Sequence, residues 1–159
     1  MVSEKRAGDL ARPLAESVKV SIGMNLKEAV EALYKAGKPQ RALVVDPQGR
    51  PIGLITLRSL FEALEPRYSR VSDWPIPLFW EGLFTERCGK SSDIGIEEVV
   101  IPIGAAAVQA GDSLMQVIYS FRQSKLNCLA VLDGRELVGL LDEPAVFEEI
   151  ARVVTGGGQ

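Results

Sequence analysis

The sequence predicts a mixed α/β (α+β) fold in which two similar halves each contribute a small sheet flanked by two helices. Residues 41–61 read as a buried strand, a turn, a returning strand and the start of a helix, and residues 129–147 repeat that order. Of the 159 residues, 47% are hydrophobic and 25% charged, an ordinary globular composition. Two such halves packed together would bury the apolar faces that each exposes alone.

The first half begins with a brief strand at residues 18–20 and continues into an amphipathic helix. Asn25 is the expected N-cap, and Glu28 lies where the partner of a capping box belongs. The apolar run 42–45 predicts a buried strand, and a turn ending at Gly49 leads back into the next strand. The residues expected on the buried face of the helix are Leu26, Ala29, Val30 and Leu33.

Thr56 is the expected N-cap of the second helix. In the second half, Ser113 and Asp142 are the expected N-caps of the first and last helices. Val108 corresponds to Val20 in the leading strands of the two halves. The apolar face of the second helix is expected to comprise Leu57, Leu60, Phe61 and Leu64. That of the last helix is expected to comprise Val146, Phe147 and Ile150.

The segment between the halves is rich in aromatic residues and proline. Its large apolar residues are Trp74, Phe79, Trp80, Leu83 and Phe84. These side chains either cover the protein's own core or form a surface for a second copy or a partner. Residues 87–93 are polar and are expected to be mobile.

Charge and composition exclude several classes of function. The net charge of −3 and pI near 5.1 give no basic surface for nucleic acid. No apolar run is long enough to span a membrane, and no secretory signal is present. Histidine is absent, and Cys88 and Cys128 form no metal or redox motif, so we expect no metal and no catalytic residue. A cytoplasmic, reduced protein is the expectation.

The repeated motifs resemble a tandem pair of CBS domains (named for cystathionine beta-synthase), often called a Bateman module. The first copy carries residues 25–29, 44–46, Gly49 and 53–56, and the second carries residues 112–116, 131–134 and 139–141. The resemblance divides the chain into a first repeat (8–65), the connecting segment (66–95), a second repeat (96–154) and a flexible tail (155–159).

The resemblance implies a pseudo-twofold pair of repeats, a homodimer and a regulatory role. In this family the clefts between repeats bind adenine nucleotides or related adenosyl compounds, and binding regulates an attached or partner protein. It therefore implies AMP, ADP, ATP or S-adenosylmethionine as a regulatory ligand, no required cofactor and no enzymatic activity. The partner protein is unknown.

The family's nucleotide signature is a glycine, an apolar residue, any residue, a serine or threonine, two residues and an aspartate. The first copy keeps Gly53 and Thr56 but has Ser59 at the aspartate position, where it offers a ribose one good hydrogen bond. Arg58 and Arg41 could attract phosphate. The candidate residues of the first cleft are thus Thr56, Arg58, Ser59, Arg41 and Val20. The alternative is that Thr56 and Ser59 only cap the helix or face solvent, and that Arg41 and Arg58 are ordinary solvated side chains.

In the second copy, Asp142 replaces the serine or threonine and Ala145 replaces the ribose-binding aspartate. A carboxylate suits a helix N-terminus but occupies the place of an incoming phosphate, and Glu143 adds to that charge. This cleft is therefore interpreted as degenerate, and an uncharged or cationic group fits it better than a phosphate.

Two functions stay open on the sequence alone. One is a free-standing regulatory protein that binds an adenosyl ligand weakly in the first cleft and signals through a partner or its assembly state. The other is a ligand-free structural or protein-interaction module that uses the dimer and the aromatic segment. An enzyme is disfavoured because no nucleophile–base pair or phosphate-cradling loop is apparent.

Overall fold

The computed structural model describes residues 3–37, 41–65 and 82–156. Contacts divide the chain into two units. The first unit is Val18–Ile101, and the second combines Met1–Ser17 with Pro102–Gln159. The resemblance in sequence assigned residues 8–17 to the first repeat. In the structure these residues pack with the second half of the chain.

The helices and strands of the chain are short, as expected for a repeat of about sixty residues. The N-terminal arm (residues 3–17) contains α1 (Ala7–Leu10) and β1 (Arg12–Pro13). The first unit contains β2 (Lys19–Ser21), α2 (Leu26–Lys35), β3 (Arg41–Val45), β4 (Pro51–Thr56), α3 (Leu57–Leu64) and α4 (Leu83–Ser91), and β5 (Ile101–Pro102) begins at its last residue. The rest of the second unit contains β6 (Ala107–Gln109), α5 (Leu114–Ser124), β7 (Cys128–Asp133), β8 (Glu136–Asp142) and α6 (Glu143–Thr155).

Each unit is built on one four-stranded sheet, with order β2-β3-β4-β5 in the first and β1-β8-β7-β6 in the second. In both, a leading strand runs parallel to the next, with Val20 opposite Val44 and Val108 opposite Val131. An antiparallel hairpin follows. The predicted mixed α/β class and the internal repeat are confirmed.

The hairpin turns and most helix caps form as predicted. Gly49 and Gly134 both have positive φ, which glycine adopts without a steric penalty. At the start of α2, Asn25 Oδ1 accepts the Glu28 N–H at 2.9 Å, and Glu28 Oε1 accepts the Asn25 N–H at 3.1 Å. Ser113 Oγ accepts the Gln116 N–H at 3.2 Å. These bonds satisfy backbone donors that a helix leaves unpaired.

Each unit has its own apolar core beneath its helices. The core of the first unit includes Val20, Leu26, Ala29, Leu33, Ala42, Val44, Ile55 and Ile96. The core of the second unit includes Ala7, Val108, Val117, Leu129, Val131, Leu141, Ala145 and Val146. Ala7 is fully buried, so the arm is an integral part of the second core.

The predicted apolar faces of α3 and α6 are wrong in part. The buried residues of α3 are Ser59 and Ala63, whereas Phe61 is 62% exposed. In α6, Val146 is buried as predicted, but Phe147 is 67% exposed. Small side chains (Ser59 and Ala63 in α3, Ala145 in α6) let each helix approach its sheet, and Phe61 and Phe147 lie at the surface. In α2, Val30 also lies at the surface.

Most of residues 87–93, which the sequence predicted to be polar and mobile, belong to α4 and are held in place by hydrogen bonds. Arg87 Nε donates to the Leu64 carbonyl at 3.0 Å, and Ser91 Oγ donates to the Ala63 carbonyl at 3.0 Å. These bonds fasten α4 to the last turn of α3, where carbonyl groups lack helical partners. The predictions for Trp74, Phe79 and Trp80 concern residues outside the described ranges.

Candidate functional site

Thr56 lies where β4 passes into α3 and is the N-cap of that helix. It is only 3% exposed. Thr56 and Ser59 face each other as in a capping box, and the backbone N–H of Thr56 donates to Ser59 Oγ at 3.1 Å. The reciprocal contact, of the Ser59 N–H with Thr56 Oγ1, does not have the geometry of a hydrogen bond, so Oγ1 has no hydrogen-bond partner in the part of the chain that the structure describes. A buried hydroxyl without a partner destabilises a protein by about 1–3 kcal/mol, so it calls for a functional explanation.

The strand register brings Arg41 beside Thr56, since the two residues are opposite each other in the β3–β4 hairpin. Arg58 is exposed in the first turn of α3. Val20 lies elsewhere: it pairs with Val44 and is 1% exposed in the core. The structure thus groups Thr56, Ser59 and Arg41 with Arg58 nearby, and the predicted role of Val20 stays a prediction.

This grouping has the chemistry of an anion subsite. The N-terminus of a helix carries partial positive charge, and the eight residues of α3 begin directly after Thr56. An unpaired hydroxyl there can donate to a phosphate oxygen. Ser59 Oγ already accepts a hydrogen bond from the Thr56 N–H. The hydroxyl proton of Ser59 can still be donated to a ligand.

The corresponding position of the second unit is fully occupied. Asp142 is the N-cap of α6, and its Oδ1 accepts the Ala145 N–H at 3.0 Å. Its Oδ2 accepts Arg12 Nε at 2.9 Å. Asp142 is 5% exposed, and Ala145 belongs to the core. The predicted cap is confirmed, and Ala145 offers no polar group to a ligand.

A polar cavity of about 460 Å³ opens between the N-terminal arm and α6. Its lining includes Lys5, Arg12, Glu16, Ala145, Glu148 and Glu149. The hydrogen bond and the charge of Asp142 raise the pKa of Arg12, and the charges of Glu148 and Glu16 add to that effect. The guanidinium in this cavity is therefore strongly held in its charged form by carboxylates of the same chain.

Glu149 is the centre of a second ion-pair cluster on α6 and is only 7% exposed. Arg152 donates from Nε to Oε1 at 2.8 Å and from an Nη nitrogen to Oε2 at 2.6 Å. Lys5 Nζ lies 3.7 Å from Oε1. The bidentate bond to Arg152 lowers the pKa of Glu149, with Lys5 contributing through its charge.

Arg12, Glu149 and Arg152 were not among the sequence candidates. Glu149 and Arg152 are three residues apart on a helix, a spacing that indicates an ion pair. Arg12 and Asp142 are separated by 130 positions, and no local pattern relates them. Only the pairing of β1 with β8, which places Arg12 opposite Leu140, brings the two side chains together.

Within residues 3–37, 41–65 and 82–156, no group of three or more cysteine, aspartate or glutamate side chains could hold a metal ion. No helix in these ranges is long and apolar enough to cross a membrane.

Comparison with known proteins identifies the first repeat. Residues 7–66 match the family profile of the CBS domain. No curated protein matches the sequence.

Solved structures extend the likeness to the whole chain. The CBS-pair protein CBSX2 from Arabidopsis thaliana is 17% identical, with 96% of this chain and 99% of that chain covered and a TM-score of 0.71. The CBS-domain protein ATU1752 from Agrobacterium tumefaciens is 16% identical, with 91% and 92% covered and a TM-score of 0.66.

Two of the similar structures contain a nucleotide. One is CBSX2 in complex with AMP, which is 16% identical over 94% of this chain and 98% of that chain, with a TM-score of 0.66. The other is the cytosolic domain of the Mg²⁺ channel MgtE in complex with ATP, which is 22% identical with a TM-score of 0.60. The match covers 92% of this chain and 49% of the MgtE chain. At these identities the likeness establishes the fold. The chain therefore contains a CBS domain at residues 7–66 and has the fold of a tandem CBS pair.

Proposed function

We propose that the chain is a regulatory CBS-pair module that binds an adenosyl ligand in the first-repeat cleft. The ligand class comprises AMP, ADP, ATP and S-adenosylmethionine. The observation that carries the proposal is the buried Thr56 hydroxyl, which has no hydrogen-bond partner among the described residues and lies at the N-terminus of α3. A ligand oxygen supplies the missing partner. The nucleotides bound to CBSX2 and MgtE support this ligand class.

Each residue has a separate task in this proposal. Thr56 Oγ1 donates to a phosphate oxygen, and Arg58, which is exposed beside it, attracts the phosphate charge. Arg41 approaches from the neighbouring strand. Ser59 replaces a carboxylate with one hydroxyl, so the ribose gains at most one good bond there and the affinity is low.

The output of binding is regulatory rather than catalytic. A ligand that binds one conformation more tightly than another shifts the population toward the first by its differential affinity. That shift would change the binding of a partner protein or the assembly state of the chain itself. We place this activity in the cytoplasm, since neither Cys88 nor Cys128 forms a disulfide.

A thermal-shift screen against AMP, ADP, ATP and S-adenosylmethionine tests the proposal. A ligand that binds the native state raises its stability by about 2.7 kcal/mol at a hundredfold excess over Kd. The gain is expected in the wild type and in Thr56→Ser, which keeps the hydroxyl, but not in Thr56→Val. A flat screen with all ligands would reject the proposal.

A ligand-free interaction module that assembles with a second copy is the second candidate, and the outer face of α6 favours it. Phe147, Ile150, Val153 and Val154 are between 46% and 77% exposed on this one helix. Apolar surface of this kind commonly marks an interface. Sedimentation velocity of Phe147→Glu should then show monomers, while Met115→Glu on α5 stays assembled. A wild-type monomer would exclude this candidate.

A further inference from the structure

The carboxylate of Asp142 is satisfied on both oxygens by groups that typically hold a bound anion. Oδ1 accepts a backbone N–H in the first turn of α6, and Oδ2 accepts the guanidinium of Arg12. A helix N-terminus together with an arginine is a ready anion site. Here the anion is part of the chain and is 5% exposed.

The fold brings the arginine to this place from the far end of the sequence. Strand β1 runs antiparallel to β8, and Arg12 lies opposite Leu140, two residues before Asp142. Arg12 and Ala145, the two residues that hold the Asp142 carboxylate, both line the cavity of about 460 Å³, so a space large enough for a small ligand lies beside them.

We propose that Asp142 is a built-in anion that closes the cleft of the second unit to phosphate-bearing ligands. Its carboxylate fills the anion position at the start of α6 and keeps Arg12 engaged. The contact is therefore autoinhibitory: the unit contains the groups of an anion site but satisfies them internally. This inference concerns the second unit and does not depend on the ligand proposed for the first.

Other carboxylates reinforce the exclusion. Glu16 and Glu148 line the same cavity and lie close enough to Arg12 to stabilise its charge. Glu143 occupies the first turn of α6. Lys5 and Arg152 also line the cavity, but a phosphate that enters the wild-type cavity meets these carboxylates and finds the Arg12 guanidinium already paired.

Replacing the carboxylate should uncover the site. In Asp142→Ser the hydroxyl still accepts the Ala145 N–H as an N-cap, while Arg12 loses its anion. The full-length wild type and variant are melted with millimolar inorganic phosphate or with chloride at equal ionic strength. We expect phosphate to raise the melting temperature of Asp142→Ser by about 3 °C, as for a ligand at roughly tenfold excess over Kd, and to leave the wild type unchanged.

Two further variants make the result specific. Adding Arg12→Gln to Asp142→Ser should abolish the phosphate-dependent rise, whereas adding Glu148→Gln should enlarge it. If Asp142→Ser does not fold, Asp142→Asn keeps an oxygen for the cap, removes the charge and should show the same Arg12-dependent rise. The proposal is overturned if phosphate stabilises wild type and variant equally, if no folded variant gains stability, or if the gain survives without Arg12.

Discussion

Gly139 is a position at which a side chain would collide with the backbone of a neighbouring strand, and Gly139→Ala tests that statement. An added Cβ would lie 2.7 Å from the Arg12 carbonyl oxygen and 2.9 Å from Ala11 Cβ. The first contact is with backbone, so β1 would have to move away from β8. Gly53 is in the same situation in the first unit, where the Ile101 carbonyl oxygen would be 2.7 Å away.

The sign of the change in the free energy of unfolding distinguishes this steric collision from the general effect of replacing glycine with alanine. The φ of Gly139 lies outside the left-handed region, so alanine would otherwise stabilise the protein by about 0.4–1 kcal/mol through the unfolded state. Overpacking in a tight contact instead costs about 1–3 kcal/mol. Gly104 is the matched control, because its Cβ would meet nothing within 4 Å.

Equilibrium unfolding in urea, followed by circular dichroism, measures both variants. We expect Gly139→Ala to lose about 1–3 kcal/mol and Gly104→Ala to stay within about 0.5 kcal/mol of the wild type or to gain stability. Equal stabilities for the two variants would refute the claim that the backbone of β1 sets the requirement for glycine.

Three further predictions concern stability. Asn25→Ala should lose about 1 kcal/mol in urea unfolding, because the Glu28 N–H loses its acceptor; an unchanged midpoint would contradict the cap. Ile55→Ala, at a fully buried position, should lose about 2–5 kcal/mol, against less than about 1 kcal/mol for Ile52→Ala at 39% exposure. Glu149→Gln should lower the melting temperature at neutral pH. Because pairing lowers the folded-state pKa of Glu149 below its ordinary 4.5, that stabilisation is present above pH 4.5 and is lost as pH falls through the folded value, so the variant and the wild type should converge in acid.

The sequence was sufficient to predict the leading strands, the hairpins and the helix caps, because each depends on residues close to one another; it did not predict the short edge strands β1 and β5. The capping pair of Asn25 and Glu28 needs only a spacing of three, and the hairpin needs only Gly49 at its turn. Helix faces were less reliable. Leu57, Leu60, Phe61 and Leu64 recur at the spacing of one helix face. That spacing alone does not predict that Ser59 and Ala63 are the residues buried against the sheet.

The features of the candidate sites also fall into those that a local sequence pattern predicts and those that it does not. Thr56 and Asp142 were predicted as helix caps from local pattern, and both occupy those positions. The sequence did not reveal that the Thr56 hydroxyl lacks a partner or that Arg12 reaches Asp142. Both facts depend on which distant strands meet, and strand order is a property of the whole fold.

The stability of Thr56→Val with and without ligand tests the central claim most directly. Valine removes only the hydroxyl and fills nearly the same volume. Because Oγ1 makes no hydrogen bond among the described residues, the ligand-free variant should be at least as stable as the wild type. It should also lose the stabilisation that an adenine nucleotide gives the wild type. A variant that is less stable without ligand, or that keeps the full nucleotide effect, would contradict the account.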